Sequence, residues 1–200
     1  MALGAGCHRE PPPRADWIID SQLVFLDDDL SHAHAPLSAQ QFRLFFPFVA
    51  GDLYGAATTG DFLQPQLAAD YHFRVDLNHA HRALLASLEP TNFSVSYLHM
   101  EPAAARVARL APLMLQPDGI EQVGRLDWFD PEAHRTLLLL YLDRPATIVG
   151  RAQASGRPLR YDIHAAAAGY VWVGLESHGD EDIYTVVPRP ARLLLAARVQ

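Results

Sequence analysis

Residues 136–142 are Thr136-Leu-Leu-Leu-Leu-Tyr-Leu142, a continuous apolar run. A short apolar run of this kind is typical of a strand in the middle of a β-sheet. From Arg135 onward the chain is rich in strand-like patterns. We therefore expect this run to form the central strand of a C-terminal β-sheet.

The patterns after this run predict two β-hairpins and a last strand. The first hairpin has Ser155-Gly156 in its turn, and its second arm alternates apolar and polar residues. The arms of the two hairpins and the last strand are expected at 146–152 with 159–164, at 170–176 with 183–187, and at 193–199. Three aromatic residues of this region are interpreted as core or cross-strand residues rather than as an exposed binding stripe: Tyr170, Trp172 and Tyr184.

The first two thirds of the chain combine predicted strands with predicted short helices. Strands are expected at 17–26, 72–77 and 93–97. Three helices are predicted where a helix-start signal precedes apolar residues at helical spacing. These signals are Ser38-Ala-Gln-Gln41 before Phe42, Phe45, Phe46 and Val49, then Asn78 before Leu84, Leu85 and Leu88, and Pro102 before Val107, Leu110 and Met114.

The expected fold class is therefore α+β, with an antiparallel β-sheet or sandwich in the C-terminal half and several short helices in the first two thirds. A chain of 200 residues suffices for one globular domain, expected at 17–200, without a metal or disulfide framework. Residues 1–16 include Pro11-Pro12-Pro13 and are expected to form an anchor remnant and an extended linker. The net charge of −7 opposes nucleic-acid binding, which needs a basic face.

Two His-x-His pairs raise the hypothesis of a metal site: His32 with His34, and His79 with His81. Imidazoles at this spacing on a strand share a face, but a catalytic zinc site needs a third protein ligand. No third ligand follows at a diagnostic spacing, and the motifs of nucleophilic hydrolysis and phosphate binding are missing from the sequence. We therefore expect no catalytic residues, no metal ligands and no cofactor. A metal-dependent hydrolase that uses the His79/His81 region is the alternative.

Two acidic clusters lie at predicted strand ends, Asp27-Asp28-Asp29 and Asp180-Glu181-Asp182. The second lies in the turn of the second predicted hairpin, where two strands give it a rigid base and limit the ordering cost of binding. Charged loops steer the encounter with an oppositely charged partner more than they raise the affinity. Asp180, Glu181 and Asp182 are therefore the predicted partner-binding residues.

The N-terminus contains Leu3-Gly4-Ala5-Gly6-Cys7, directly before the proline-rich run. It resembles the end of a bacterial lipoprotein signal peptide, in which small residues precede a cysteine that becomes acylated. Gly4 stands where leucine is usual, and the basic start and most of the apolar segment are missing. The resemblance is thus to a truncated signal, and it implies a lipid on Cys7.

This resemblance implies a periplasmic protein anchored to a bacterial membrane. With its proline-rich tether, acidic domain and lack of a catalytic motif, the chain resembles the lipoproteins that act as immunity partners of toxins delivered between bacteria by contact-dependent secretion systems. The expected function is binding rather than catalysis, with a toxin or another protein as the partner and no nucleic acid. A structural lipoprotein of an envelope or secretion assembly is a further alternative.

Overall fold

The computed structural model describes residues 17–26, 38–50, 58–78, 97–117, 122–154 and 156–198. Throughout these ranges the chain is all-β, with no helix and therefore no helix able to span a membrane. The strands are β1 (Ile18–Leu26), β2 (Arg43–Ala50), β3 (Thr58–Leu63), β4 (His72–Asp76), β5 (Tyr97–Glu101), β6 (Val107–Leu110), β7 (Leu113–Leu115), β8 (Gln122–Asp130), β9 (Arg135–Leu142), β10 (Ala146–Ala154), β11 (Arg157–Ala165), β12 (Gly169–His178), β13 (Glu181–Val187) and β14 (Leu194–Arg198).

The predicted α+β class is wrong, and the first predicted helix shows why. The segment after Ser38 leads into strand β2, and burial recurs at every second position in Phe42, just before the strand, and in Leu44 and Phe46 within it. Ser38 and Gln41 do make the contact of a capping box, since the Ser38 N–H donates to Gln41 Oε1 at 2.7 Å, but they do so in a turn that precedes a strand. Pro47 is accommodated where the register of β2 against β3 shifts, a common place for proline in a sheet.

The helix predicted after Pro102 is also wrong, because this segment forms β6 and β7. Val107 and Leu110 are buried, and β6 is paired on one edge with β2 and on the other with β9. Backbone pairing on both edges overrides the helical spacing of the apolar residues. The predicted helix after Asn78 and the start of the strand predicted at 93–97 lie outside the described residues, and Tyr97 is the first residue of β5.

All fourteen strands belong to one mixed sheet in the order β4-β1-β14-β8-β7-β2-β6-β9-β12-β13-β11-β10-β5, with β3 paired to β2. Two pairs, β1 with β14 and β11 with β13, are parallel, and the other pairs are antiparallel. The predicted antiparallel C-terminal sheet is therefore wrong as well, because β13 pairs with β11 of the preceding hairpin in parallel. The sheet branches at the hairpin of β8 and β9. These two strands pair only beside their turn, after which β8 continues along β7 and β9 along β6.

Strands β9 and β12 separate two hydrophobic clusters. Leu137 and Leu139 of β9 face the first cluster, whereas Leu140 and Leu142 face the second. In the same way, Trp172 of β12 lies in the first cluster and Val173 in the second. A strand that is buried on both faces has no polar side to alternate with, which explains the continuous apolar run. The prediction of a central strand is confirmed.

Other predictions from periodicity are also confirmed. The two predicted hairpins are β10 with β11 and β12 with β13. In β4, Phe73 and Val75 are buried between exposed polar residues, as the alternation predicts. Trp172 and Tyr184 are buried and Tyr170 packs against the first cluster, so the core interpretation of these aromatic residues is confirmed. The last strand forms as predicted, but β14 is inserted between β1 and β8.

Candidate partner-binding surface

The predicted partner-binding residues lie at the turn between β12 and β13. Gly179 and Asp180 form the turn itself, and Gly179 has a φ of 60°, which glycine adopts without strain. The Asp180 side chain is exposed at the tip. The turn is therefore short and fixed by two paired strands.

Glu181 and Asp182 are less available to a partner than their position in an acidic turn suggests. Glu181 Oε2 lies 3.2 Å from Arg160 Nε, and Asp182 Oδ1 lies 3.2 Å from a terminal nitrogen of Arg157. Asp182 also accepts a hydrogen bond of 2.7 Å from Ser177 Oγ. The two arginines come from β11, the parallel neighbour of β13. The structure therefore divides the predicted site into two ion-paired carboxylates and an exposed Asp180.

More charged side chains surround this turn on one face of the sheet. In β11, Leu159, Tyr161 and Ile163 are buried, so the residues between them point to the opposite face. Strand pairing extends that face over β10 and β5 on one side and over β13, β12 and β9 on the other. Farther along β12 and β9 the same side carries Trp172, Leu137 and Leu139, which are buried in the first cluster. We call the charged part of this side the charged face, and it consists of His99, Glu101, Asp130, Arg135, Arg151, Arg160, Asp162, His164, Glu176, His178 and Glu181.

Arg135 connects two carboxylates at one side of the charged face. Its Nε lies 3.4 Å from Asp130 Oδ2, and its Nη1 donates to Glu176 Oε1 at 2.7 Å. The stem of Arg135 lies flat over Gly174, since a Cβ at Gly174 would come within 3.1 Å of Arg135 Cδ and 3.0 Å of Val187 Cγ1. Glycine at this position therefore lets the guanidinium lie against the sheet between its two partners.

Three histidines of the charged face each contact a carboxylate two residues away on the same strand. The shortest contact joins His164 Nε2 to Asp162 Oδ1 at 2.7 Å. His99 Nε2 lies 3.2 Å from Glu101 Oε1, and His178 Nε2 lies 3.5 Å from Glu176 Oε2. Residues two apart on a strand share a face, so each pair is presented to solvent side by side. Between 61% and 64% of each of these histidine side chains is exposed.

Several sequence-predicted residues lie outside the described ranges: Cys7, Asp27, Asp28, Asp29, His32, His34, His79 and His81. The structure therefore does not test either His-x-His pair. Within the ranges that it describes, no three His, Cys, Asp or Glu side chains are grouped so as to hold a metal ion. The hypothesis of a hydrolase at His79/His81 stays a hypothesis.

Comparisons with known proteins gave no matching family model, no curated relative and no similar solved structure.

Proposed function

We propose that this protein is a lipid-anchored periplasmic binding protein of the immunity type, which holds a protein partner on the charged face and the adjoining turn. The observation that supports binding is the fixed arrangement of opposite charges over the outward side of β5, β10 and β11 and over the adjoining ends of β13, β12 and β9, beyond the first cluster. A lipid on Cys7 would hold this surface near a bacterial membrane. The residues before Trp17 then act as the tether.

Preorganisation is the physical reason for placing the partner here. Arg157 donates to the Gly179 carbonyl oxygen at 2.9 Å and pairs with Asp182, so both the turn and its flank are held from the neighbouring strand. Arg160 lies between Asp162, at 3.6 Å, and Glu181. Side chains already ordered in the free protein lose little entropy on binding. Charges of both signs at fixed positions favour a matching partner and disfavour others.

The three acidic turn residues have different roles in this proposal. Glu181 and Asp182 hold the turn against β11 through their arginine partners. Asp180 is the exposed carboxylate that meets the partner first. Because the whole chain has a net charge of −7, long-range attraction favours a basic partner and accelerates its approach.

The first test concerns the partner. We expect the full chain to form a stoichiometric complex with the product of a neighbouring toxin gene, and Asp180→Ala to slow association about twofold to fivefold at low salt. The effect should shrink at high salt, because salt screens exposed charges. Association rates across ionic strength measure it. The matched control is Asp20→Ala, an exposed aspartate on β1, which should leave the rate unchanged.

Two results would contradict the binding proposal. Equal association rates for Asp180→Ala and the unaltered chain would remove the turn from the interface. Hydrolysis of a lipid, peptide or peptidoglycan substrate by the pure protein would overturn the binding function itself.

The second test concerns the anchor. We expect the product of the native gene to sediment with membranes and the Cys7→Ser variant to appear in the soluble periplasmic fraction. An acyl chain contributes about 0.8 kcal/mol per buried CH₂, so loss of the acylated cysteine removes the membrane affinity. Cell fractionation followed by immunoblotting measures the distribution. Equal solubility of the two proteins would end the anchor hypothesis without affecting the partner test.

A further inference from the structure

We propose that the end of the domain from which the tether leaves docks on a membrane surface with anionic lipid headgroups, so that the acidic turn between β12 and β13 points away from the bilayer. The inference rests on the anchor of the proposed function and adds a second interaction surface to it. We call this part of the molecule the tether end, and it consists of Trp17 and the loops 102–106, 143–145, 166–168 and 188–193.

Strand pairing places these loops together at one end of the sheet. Ala146 at the start of β10 is opposite Ala165 at the end of β11, and β5 ends beside the start of β10. Leu142 at the end of β9 is opposite both Gly169 at the start of β12 and Val107 at the start of β6. The last residue of β13 lies beside the first half of β12. The strand ends that the loops join are therefore neighbours.

The tether joins the domain at this same end, through a tryptophan that is held on several sides. The Trp17 N–H donates to Asn78 Oδ1 at 3.1 Å, and the Trp17 carbonyl oxygen accepts from the Leu77 N–H at 2.8 Å. The Trp17 ring packs on Tyr170 with 5.1 Å between ring centroids, and the guanidinium carbon of Arg189 lies 5.7 Å from the centroid of the Trp17 ring. The junction is therefore fixed against the start of β12 and the loop after β13.

The length of the tether keeps this end close to an anchored lipid. Nine residues separate Cys7 from Trp17. An extended chain spans at most about 3.5 Å per residue, so Trp17 lies within about 35 Å of Cys7. The acidic turn is at the other end of β12, a strand of ten residues that is about 30 Å long. A lipid on Cys7 thus brings the tether end to the bilayer before the acidic turn.

The charge of the tether end complements an anionic surface. Its loops contain four exposed arginines and one acidic residue: Arg106, Arg144, Arg189, Arg192 and Asp143. These residues give a net charge of +3, which Asp76 and Glu101 at the adjoining ends of β4 and β5 reduce to +1. The whole chain has a net charge of −7, and three consecutive acidic residues lie at the far end of β12. Attraction at one end and repulsion at the other favour a single orientation on an anionic membrane.

The remaining side chains of these loops do not oppose the contact. Apart from Leu193, they are alanines and prolines, and most of them are exposed, including Ala103, Ala104, Pro145, Pro188 and the three alanines at 166–168. Arginine side chains are much longer than these neighbours, so the guanidinium groups reach the headgroups first. The prolines fix φ and limit the ordering that docking requires.

Vesicles that supply the anchor chemically test the inference. The full chain has one cysteine and three tryptophans. Cys7 is coupled to a maleimide lipid in vesicles of phosphatidylcholine alone or of phosphatidylcholine with phosphatidylglycerol. A spin label on the lipid headgroup quenches tryptophan fluorescence at the membrane surface. Trp128 and Trp172 are 1% and 2% exposed, so a change in quenching reports on Trp17.

We expect about twofold stronger quenching of Trp17 on the anionic vesicles, since an arginine near such a surface contributes a factor of about five to docking. High salt should remove the difference between the two kinds of vesicle. Arg144→Gln/Arg192→Gln should lower the ratio of docked to undocked domain about tenfold on anionic vesicles, because Asp143, the ion-pair partner of Arg144, offsets part of its contribution.

The matched control removes the same charge from exposed positions outside the tether end. Arg43→Gln/Arg151→Gln should leave the quenching unchanged, because Arg43 lies on β2 and Arg151 on β10. Equal quenching on the two kinds of vesicle, or equal losses for the two double variants, would overturn the inference. The maleimide lipid replaces the acyl chains, so the result does not depend on acylation in the cell. Unchanged fractionation of Cys7→Ser contradicts the proposed anchor, whereas equal quenching contradicts only the docking of the tether end.

Discussion

Replacement of Trp172 by alanine is expected to lower the free energy of unfolding by about 3–5 kcal/mol, the usual cost of deleting a buried tryptophan side chain. Trp172 is 2% exposed and meets Trp128 of β8 edge to face, with 5.8 Å between ring centroids. Trp128 in turn stacks on Phe46 of β2 at 5.5 Å. The Trp172 ring thus connects β12 with the strands on the far side of the branch, and its loss leaves a cavity in the first cluster.

Urea denaturation monitored by circular dichroism measures this loss. Trp17→Ala is the matched control, because Trp17 is half-buried and packs on Tyr170 at the rim of the same cluster, with 5.1 Å between ring centroids. It should cost less than Trp172→Ala. We also expect a single unfolding transition for both variants, since β9 and β12 contribute to both clusters. Two transitions, or an equal cost for the two tryptophans, would contradict this account of the core.

The elements that could be predicted from sequence are those set by local patterns. The β10–β11 hairpin needs only two arms and a turn containing Gly156, which has a φ of 79°. Strand β9 could be predicted from its continuous apolar run alone. In both cases the residues that determine the structure are close together in the chain, so a short window contains the signal.

The segments wrongly predicted to be helices have apolar residues that fit both the helical period of about 3.6 and the strand period of about 2. Phe42, Phe45, Phe46 and Val49 have helical spacing, but Phe42, Leu44, Phe46 and Phe48 alternate. The structure buries all four residues of the alternating set and leaves Phe45 half-buried. Aromatic residues are frequent in strands, and Pro47 opposes a helix interior. The deciding factor is the pairing of β2 with β6 and β7, more than fifty residues further along the chain, which no local window contains.

The candidate surface could be predicted in part. The alternation in β11 already places Arg160, Asp162 and His164 opposite its buried residues. What the sequence does not contain locally is the parallel pairing of β11 with β13, which brings Arg157 and Arg160 beside the acidic turn. The sequence therefore predicted three unpaired carboxylates in the turn, although Glu181 and Asp182 have arginine partners from another hairpin.

The second large effect is expected at Asp130, a buried carboxylate at the turn between β8 and β9. It is 5% exposed, and its Oδ1 accepts hydrogen bonds of 3.1 Å from the backbone N–H groups of Glu132 and Ala133. Its Oδ2 faces the guanidinium of Arg135, which is 17% exposed. The Asp130 side chain thus accepts hydrogen bonds from two N–H groups of the turn and also lies beside the largely buried guanidinium of Arg135.

Asp130→Ala should therefore lower the free energy of unfolding by about 2–4 kcal/mol, since it leaves the two turn N–H groups without their acceptor and removes one partner of Arg135. Asp130→Asn is the matched control: its side-chain oxygen can still accept from the turn, so the loss should be about 1–2 kcal/mol. Urea denaturation of both variants gives the comparison. Equal losses would show that the hydrogen bonds to the turn contribute nothing and that only the charge beside Arg135 matters. Because Arg135 also holds Glu176 beside His178, Asp130→Ala should in addition weaken partner binding at the charged face, whereas a purely local role of the turn would leave binding unchanged.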